Sequence, residues 1–164
     1  MIVSNSSPII SLGKRGYLFL LKKCFNKVII PEEVYKEIII KINSVEANAL
    51  KKAIKERWLH VEKVEIIDFL KNVNIENGEK EAISLAYKYK NRVLLDDDSA
   101  KSFALMLNLD AHGTLFVIHF AYLMKYITKD QAKEVIDLMI KDGFYISTDV
   151  YSIFINLLEQ NSKS

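Results

Sequence analysis

The stretch "RVLLDDDSAK", Arg92 to Lys101, decides the fold. Val93, Leu94 and Leu95 form the short, wholly apolar run of a strand buried on both faces, and Ala100, Phe103, Ala104 and Leu107 behind them repeat at helical spacing. Three carboxylates, Asp96, Asp97 and Asp98, crowd the junction between strand and helix. Like charges packed together cost energy unless water, a helix N-terminus or a cation offsets the repulsion. The junction is therefore either a solvated cap or a metal site.

The same strand-then-helix unit recurs outward from this point. "MIV" before Asn5 and "KVII" before Pro31 each lead into residues that open a helix, with Pro8 and Pro31 suited to a first turn. "WLHVEKV" reads as a weaker strand and "NLDAHG" as a short last one. Helical patterns run from Ser7 to Lys23 with a break near Gly16, then Pro31 to Lys41, Val45 to Arg57, Gly78 to Lys90 and Ser99 to Leu107. Apolar strands alternating with helices predict an α/β fold, a three-layer α/β/α arrangement around a central parallel sheet of four to five strands. Beyond Thr114 the pattern is purely helical: Thr128 caps, Gly143 stops, and Ser147 opens a last helix through Leu158. A single domain is expected over residues 1–160, with an α/β core over 1–126, a helical C-terminal extension over 127–160 and a disordered tail over 161–164.

At 164 residues, 50% hydrophobic and 27% charged, the chain has the composition of one globular unit with a substantial core. A formal net charge of +2 is too small to declare a nucleic-acid binder. Cys24 stands alone, which excludes an intramolecular disulfide and a cysteine-rich zinc site, and its apolar helical context predicts a buried thiol. The start "MIVSNSSPIISLGKRG" lacks the pattern of a signal peptide, and no stretch is apolar enough to span a membrane. A cytoplasmic protein is expected.

In an open parallel sheet, ligands bind beyond the carboxyl ends of the strands, where Asn5 and Asp96 to Asp98 fall. Glu79 shares a helix face with Ala82, Ile83 and Ala86, whereas Glu81 is displaced by two residues and points away. In the helix after Pro31, Val34 and Ile38 mark the buried stripe and Glu37 lies at its margin, with Glu32 and Glu33 farther out. Continuing the stripe of Ala100 and Phe103 backwards leaves Asp97 near the inward side and Asp98 outward, as a first-turn acid. Any one such acid is a cap more often than a ligand, but acids converging at one sheet edge suit a hard divalent cation such as Mg²⁺.

Six segments in register, "IVSNSSPIISLGK", "VIIPEEVYKEI", "NGEKEAISLAYKY", "VLLDDDSAKSFA", "LDAHGTLFVI" and "KDGFYIS", make nearly the whole chain resemble the PIN-domain nucleases, especially the VapC-like toxin group and its archaeal relatives. The resemblance implies a PIN-like fold whose acidic cluster binds Mg²⁺ or Mn²⁺ and cleaves RNA. Carried over by position, the second, third and fourth acids fall on Glu37, Glu79 and Asp97, the implied catalytic set, with Asp96 beside Asp97 as a further metal residue. The first acid, an aspartate in most of the family, falls on Asn5, a neutral oxygen donor that leaves the site one negative charge short. Ser6 and Thr114 resemble hydroxylic auxiliaries of the site, and both also make sense as helix caps. A basic residue often follows the fourth acid directly, whereas here Asp98 and Ser99 intervene before Lys101.

The implied protein is a metal-dependent endoribonuclease, the toxin of a VapBC-type toxin–antitoxin system. Its expected partners are an RNA substrate, a small antitoxin protein that blocks the cleft, and a second copy in a homodimer. The alternative, which Asn5 motivates, is a catalytically weak or inactive PIN-like module that binds RNA or a protein. A receiver domain or a haloacid-dehalogenase-like hydrolase ranks last, the latter because Asn5 stands where its nucleophilic aspartate belongs. Lys14, Arg15, Lys22, Lys23, Lys51, Lys52, Lys55 and Arg57 are read as solvated charge before an RNA path. His112 is read as structural, and Phe116, Phe120, Tyr122 and Tyr126 as core or dimer surface.

Overall fold

Alternation within three apolar strands builds the layers. Ile2, Val28, Ile30 and Leu94 face one core, while Val3, Ile29, Val93 and Leu95 face a second. Successive side chains of a strand point to opposite faces, so a wholly apolar run is satisfied only when helices cover both sides. The structure, a computed structural model, describes residues 1–160. The tail 161–164, expected to be disordered, lies outside the described residues.

In chain order the elements are β1 (Ile2–Ser4), α1 (Ser6–Gly13), α2 (Phe19–Phe25), β2 (Val28–Pro31), α3 (Glu32–Ile39), α4 (Val45–Lys55), β3 (Leu59–Glu62), α5 (Asp68–Lys71), α6 (Asn77–Tyr89), β4 (Val93–Leu94), α7 (Asp98–Met106), β5 (Ala111–His112), α8 (Thr114–Leu123), α9 (Lys129–Lys141) and α10 (Thr148–Gln160). The five strands form one all-parallel sheet in the order β3-β2-β1-β4-β5. The break expected near Gly16 separates α1 from α2, at a φ of +78° that glycine adopts without strain. Only the short α5 has no counterpart in the sequence reading. The Ile67 amide just before it donates to Ser84 Oγ of α6, 3.1 Å away, which ties the connection down.

One face carries α1, α2, α4 and α8 to α10, with Val34 and Ile38 of α3. The other carries α5 to α7. The C-terminal helices do not form a separate layer: Ala132, Val135, Ile136, Met139, Phe154 and Leu158 lie in the same core as Ile2 and Ile30. Cys24 is half-buried rather than fully enclosed, and burial pushes its thiol up to about 11, out of the reactive range. Among the described residues no helix is long and apolar enough to cross a membrane.

The strand order reverses between β1 and β4. Chains leave these two neighbours at their carboxyl ends in opposite lateral directions, which opens a crevice between the first turns of the helices that follow. Asn5 stands at the exit of β1, and Asp96 and Asp97 at the exit of β4.

Candidate active site

Asn5 opens α1 as its cap residue. Its backbone amide donates to Leu94 O at 3.0 Å, which fixes it against β4. The residue is 4% exposed, and its side-chain Oδ1 is buried with no hydrogen-bond partner. Asp97 caps α7 through Oδ1, which accepts the Ala100 amide at 2.8 Å, so one cap interaction uses one oxygen. Its side chain is more exposed than helix phase implied, because a cap residue sits outside the stripe it introduces. Asp98 is in the first turn, exposed, and paired with Lys101 Nζ at 3.1 Å.

Two further acids come from helices on either side of the crevice. Glu79, 7% exposed, is the third residue of α6 and closes a capping box by accepting the Glu76 amide at 3.1 Å. Glu37 of α3 reaches across to α6, where its carboxylate rests on Gly78. A Cβ built on Gly78 would lie 3.1 Å from Glu37 Cδ and 3.2 Å from Oε2. The absence of a side chain at Gly78 leaves room for the Glu37 carboxylate to lie against the start of α6.

The electrostatics record the crowding. Burial pushes the Glu37 carboxyl above its ordinary range, the Ser6 hydroxyl opposes the rise by hydrogen-bonding the charged form, and Glu76, Glu33 and Glu81 add to it. Glu79 is raised in the same way: burial leads, the Glu76 amide opposes, and the charges of Asp97, Glu76 and Glu37 add. Glu79 therefore feels the charges of both Asp97 and Glu37, which a cation would relieve.

Asp96 has a different job. Its Oδ1 accepts the Thr114 amide at 2.7 Å, and its Oδ2 accepts both Thr114 Oγ1 and Ser7 Oγ at 2.7 Å. Three of its four lone-pair positions are thereby taken. It pins the start of α8 and the first turn of α1 to the end of β4. Ser6 lies against Glu37 and Thr114 against Asp96. Glu81, expected to point away from Glu79's face, packs toward α3, where its Oε2 accepts the Glu33 amide at 3.1 Å. His112 stacks on Phe116 with ring centroids 3.8 Å apart and pairs with Asp110 at 2.8 Å, a structural role.

A cleft of about 510 Å³ opens over this junction, walled by Asn5, Ser6, Glu76, Glu79, Asp96 and Asp97. A larger cavity, about 760 Å³ around Arg92 and Asp110, lies at the opposite, amino edge of the sheet, away from the acids. Lys22 and Lys52 also sit on that edge, beside Trp58, and both pair with Glu56. Among the described residues no three His, Cys, Asp or Glu side chains stand close enough, as placed, to hold one ion. The donor set still fits a hard divalent cation: every donor is an oxygen, two carboxylates are raised by burial and then by neighbouring charge, and a buried amide oxygen has no donor facing it.

The sequence reading missed Ser7, Glu76 and Gly78. Glu76 was signalled by its spacing from Glu79, since acceptors at the cap and third positions make a capping box. Ser7 had no local signal, because its partner Asp96 is 89 residues away.

A three-layer α/β/α protein with an all-parallel five-stranded sheet and an acid-lined cleft at its switch point is what the residues build. A family model described as "DUF3368: PIN domain" matches residues 1–160, and the chain belongs to the PIN domain family. PIN domains are generally nucleases, act on nucleic acid and typically depend on a divalent metal. Among solved structures the chain is similar to a PilT N-terminus domain protein from the hyperthermophilic archaeon Sulfolobus solfataricus P2, at 18% identity and a TM-score of 0.49 over 71% of this chain and 88% of that one. No curated protein matches the chain significantly.

Proposed function

We propose that the chain is a Mg²⁺- or Mn²⁺-dependent endoribonuclease, the toxin of a VapBC-type pair. The observation that supports the nuclease reading most is the cleft at the switch point lined by Glu79 and Asp97, beside the unpartnered Oδ1 of Asn5, with the charge of Glu37 felt at Glu79. Glu37, Glu79 and Asp97 would hold the cation, with Asn5 as a neutral fourth donor. When bound, it supplies a more acidic water and offsets charge that builds on the phosphoryl oxygens. Asp97 contributes the oxygen not spent on Ala100, and Ser6 orients Glu37. Asp96 positions the two helix starts around the cleft and is assigned no direct ligation.

The partner readings rest on exposed apolar surface. Ile40 and Ile42, 78% and 77% exposed, follow the helix that carries Glu37 and suit contact with a small antitoxin. Leu123, Met124 and Tyr126, exposed at the end of α8, suit the homodimer contact.

Purified protein is expected to cleave RNA with added Mn²⁺ and to stop on chelation. Asp97→Asn keeps the cap, since Asn caps as well as Asp, but removes the charge. We expect it to melt like the wild type and to lose activity on the order of 100-fold or more. Undiminished cleavage by the variant would mean that a contaminant does the cutting. The neutral Asn5 and the open spacing of the carboxylates favour one second reading, a silent RNA- or protein-binding module. Titration calorimetry separates the two: no uptake of Mn²⁺ at millimolar concentration selects the silent module.

A further inference from the structure

We propose that Tyr145 is a stacking platform for one splayed-out base of a single-stranded RNA whose phosphate lies in the acid cleft. The inference rests on the nuclease reading above.

A second hollow, about 490 Å³, opens directly off the cleft and shares Ser7, Asp96, Asp97 and Ser99 with it. Its far wall is the segment after α9 that carries Tyr145. The Tyr145 side chain is 89% exposed, the largest exposure among the large hydrophobic residues described. Its neighbours, by contrast, are held. Arg15 grips the Asp142 carboxylate with two donors, at 2.7 and 2.5 Å. Gly143 takes a φ of +93° that ends α9 and donates to Ile140 O at 3.0 Å, and the Phe144 amide donates to Met139 O at 2.9 Å while its ring packs against the core. An exposed ring on an anchored backbone loses little freedom when a flat partner covers it.

The ligand that fits is flat, uncharged and tied to something in the cleft. A base has a π-face for the tyrosine and polar edges for the hydroxyls of Ser7, Ser11 and Ser99, which also line the hollow. A duplex keeps its bases stacked inside the helix and offers the ring no face.

The test is fluorescence anisotropy with a labelled, cleavage-resistant phosphorothioate single-stranded RNA in Mn²⁺. Tyr145→Ala is expected to weaken binding about tenfold or more, the loss of one stacked base, and Tyr145→Phe by less than about twofold. Placing one abasic nucleotide in the RNA should reproduce the loss on the wild type and add nothing on Tyr145→Ala. Unchanged affinity of Tyr145→Ala, wild-type binding of duplex as tight as of single strand, or a Tyr145 effect seen only with a hexa-arginine peptide each overturns the inference and leaves the nuclease reading standing. A wild type that binds no RNA overturns both.

Discussion

Glu79 serves two ends at once. As the third residue of α6 it completes a capping box, and as an acid in the cleft it faces Asp97 and Glu37. A carboxyl whose folded pKa is raised holds its proton more tightly in the folded than in the unfolded chain. Its contribution to stability is present when it is protonated, below the ordinary value of 4.5, and is lost as pH rises through the folded value. Gln also closes a capping box, so Glu79→Gln removes the repulsion and keeps the cap. Without metal this variant is expected to melt a few degrees above the wild type at neutral pH. The gain should fade as pH drops below the ordinary carboxylate range. Calorimetric melts across pH check both statements, and a gain independent of pH would remove charge repulsion as its cause.

At the scale of the element, a glycine lets two helices bring their acids together. Gly78 is the second residue of α6 and is buried under the Glu37 carboxylate. Gly78→Ala gains helix propensity of up to about 1 kcal/mol, but its methyl group displaces the flexible end of Glu37. Stability is expected to stay within about 1 kcal/mol of the wild type. Affinity for Mn²⁺ is expected to fall on the order of tenfold, because the proposed ligand Glu37 has been pushed out of place. Calorimetry and thermal melts read the two effects separately. Loss of both together would mean that α3 and α6 had separated and not merely that one carboxylate had moved.

At the scale of the whole molecule, the last two helices belong to the central core. Phe154 of α10 is 4% exposed, lies in the cluster that includes Ile2 and Ile30, and meets His119 edge-on with ring centroids 6.4 Å apart. Phe154→Ala is expected to cost about 3–5 kcal/mol. That corresponds to a lower melting temperature on the order of 10 °C, in one transition. A separate early transition confined to the C-terminal helices would show instead that they fold apart from the sheet.

The sequence by itself determined what depends on neighbours a few residues away. Apolar runs too short for helices specified β1, β2 and β4; helix phase placed Glu79 toward the sheet; and the junction after Leu95 announced a cap and an acid site together. These features follow from periods of two and 3.6 residues, which are local. Only the tertiary structure divided labour among the acids. Asp96 read as a further metal residue beside Asp97, until Ser7 and Thr114 arrived from 89 and 18 residues away to occupy it. Helix phase turned Glu81 away from Glu79's face, but only the packing of α3 gave it the Glu33 amide as a partner. Asn5 looked like a mere substitution until β4 and the helix starts enclosed its Oδ1 without a donor. Such partners are chosen by how the crossovers stack on the sheet, and no window of sequence contains both sides of those contacts.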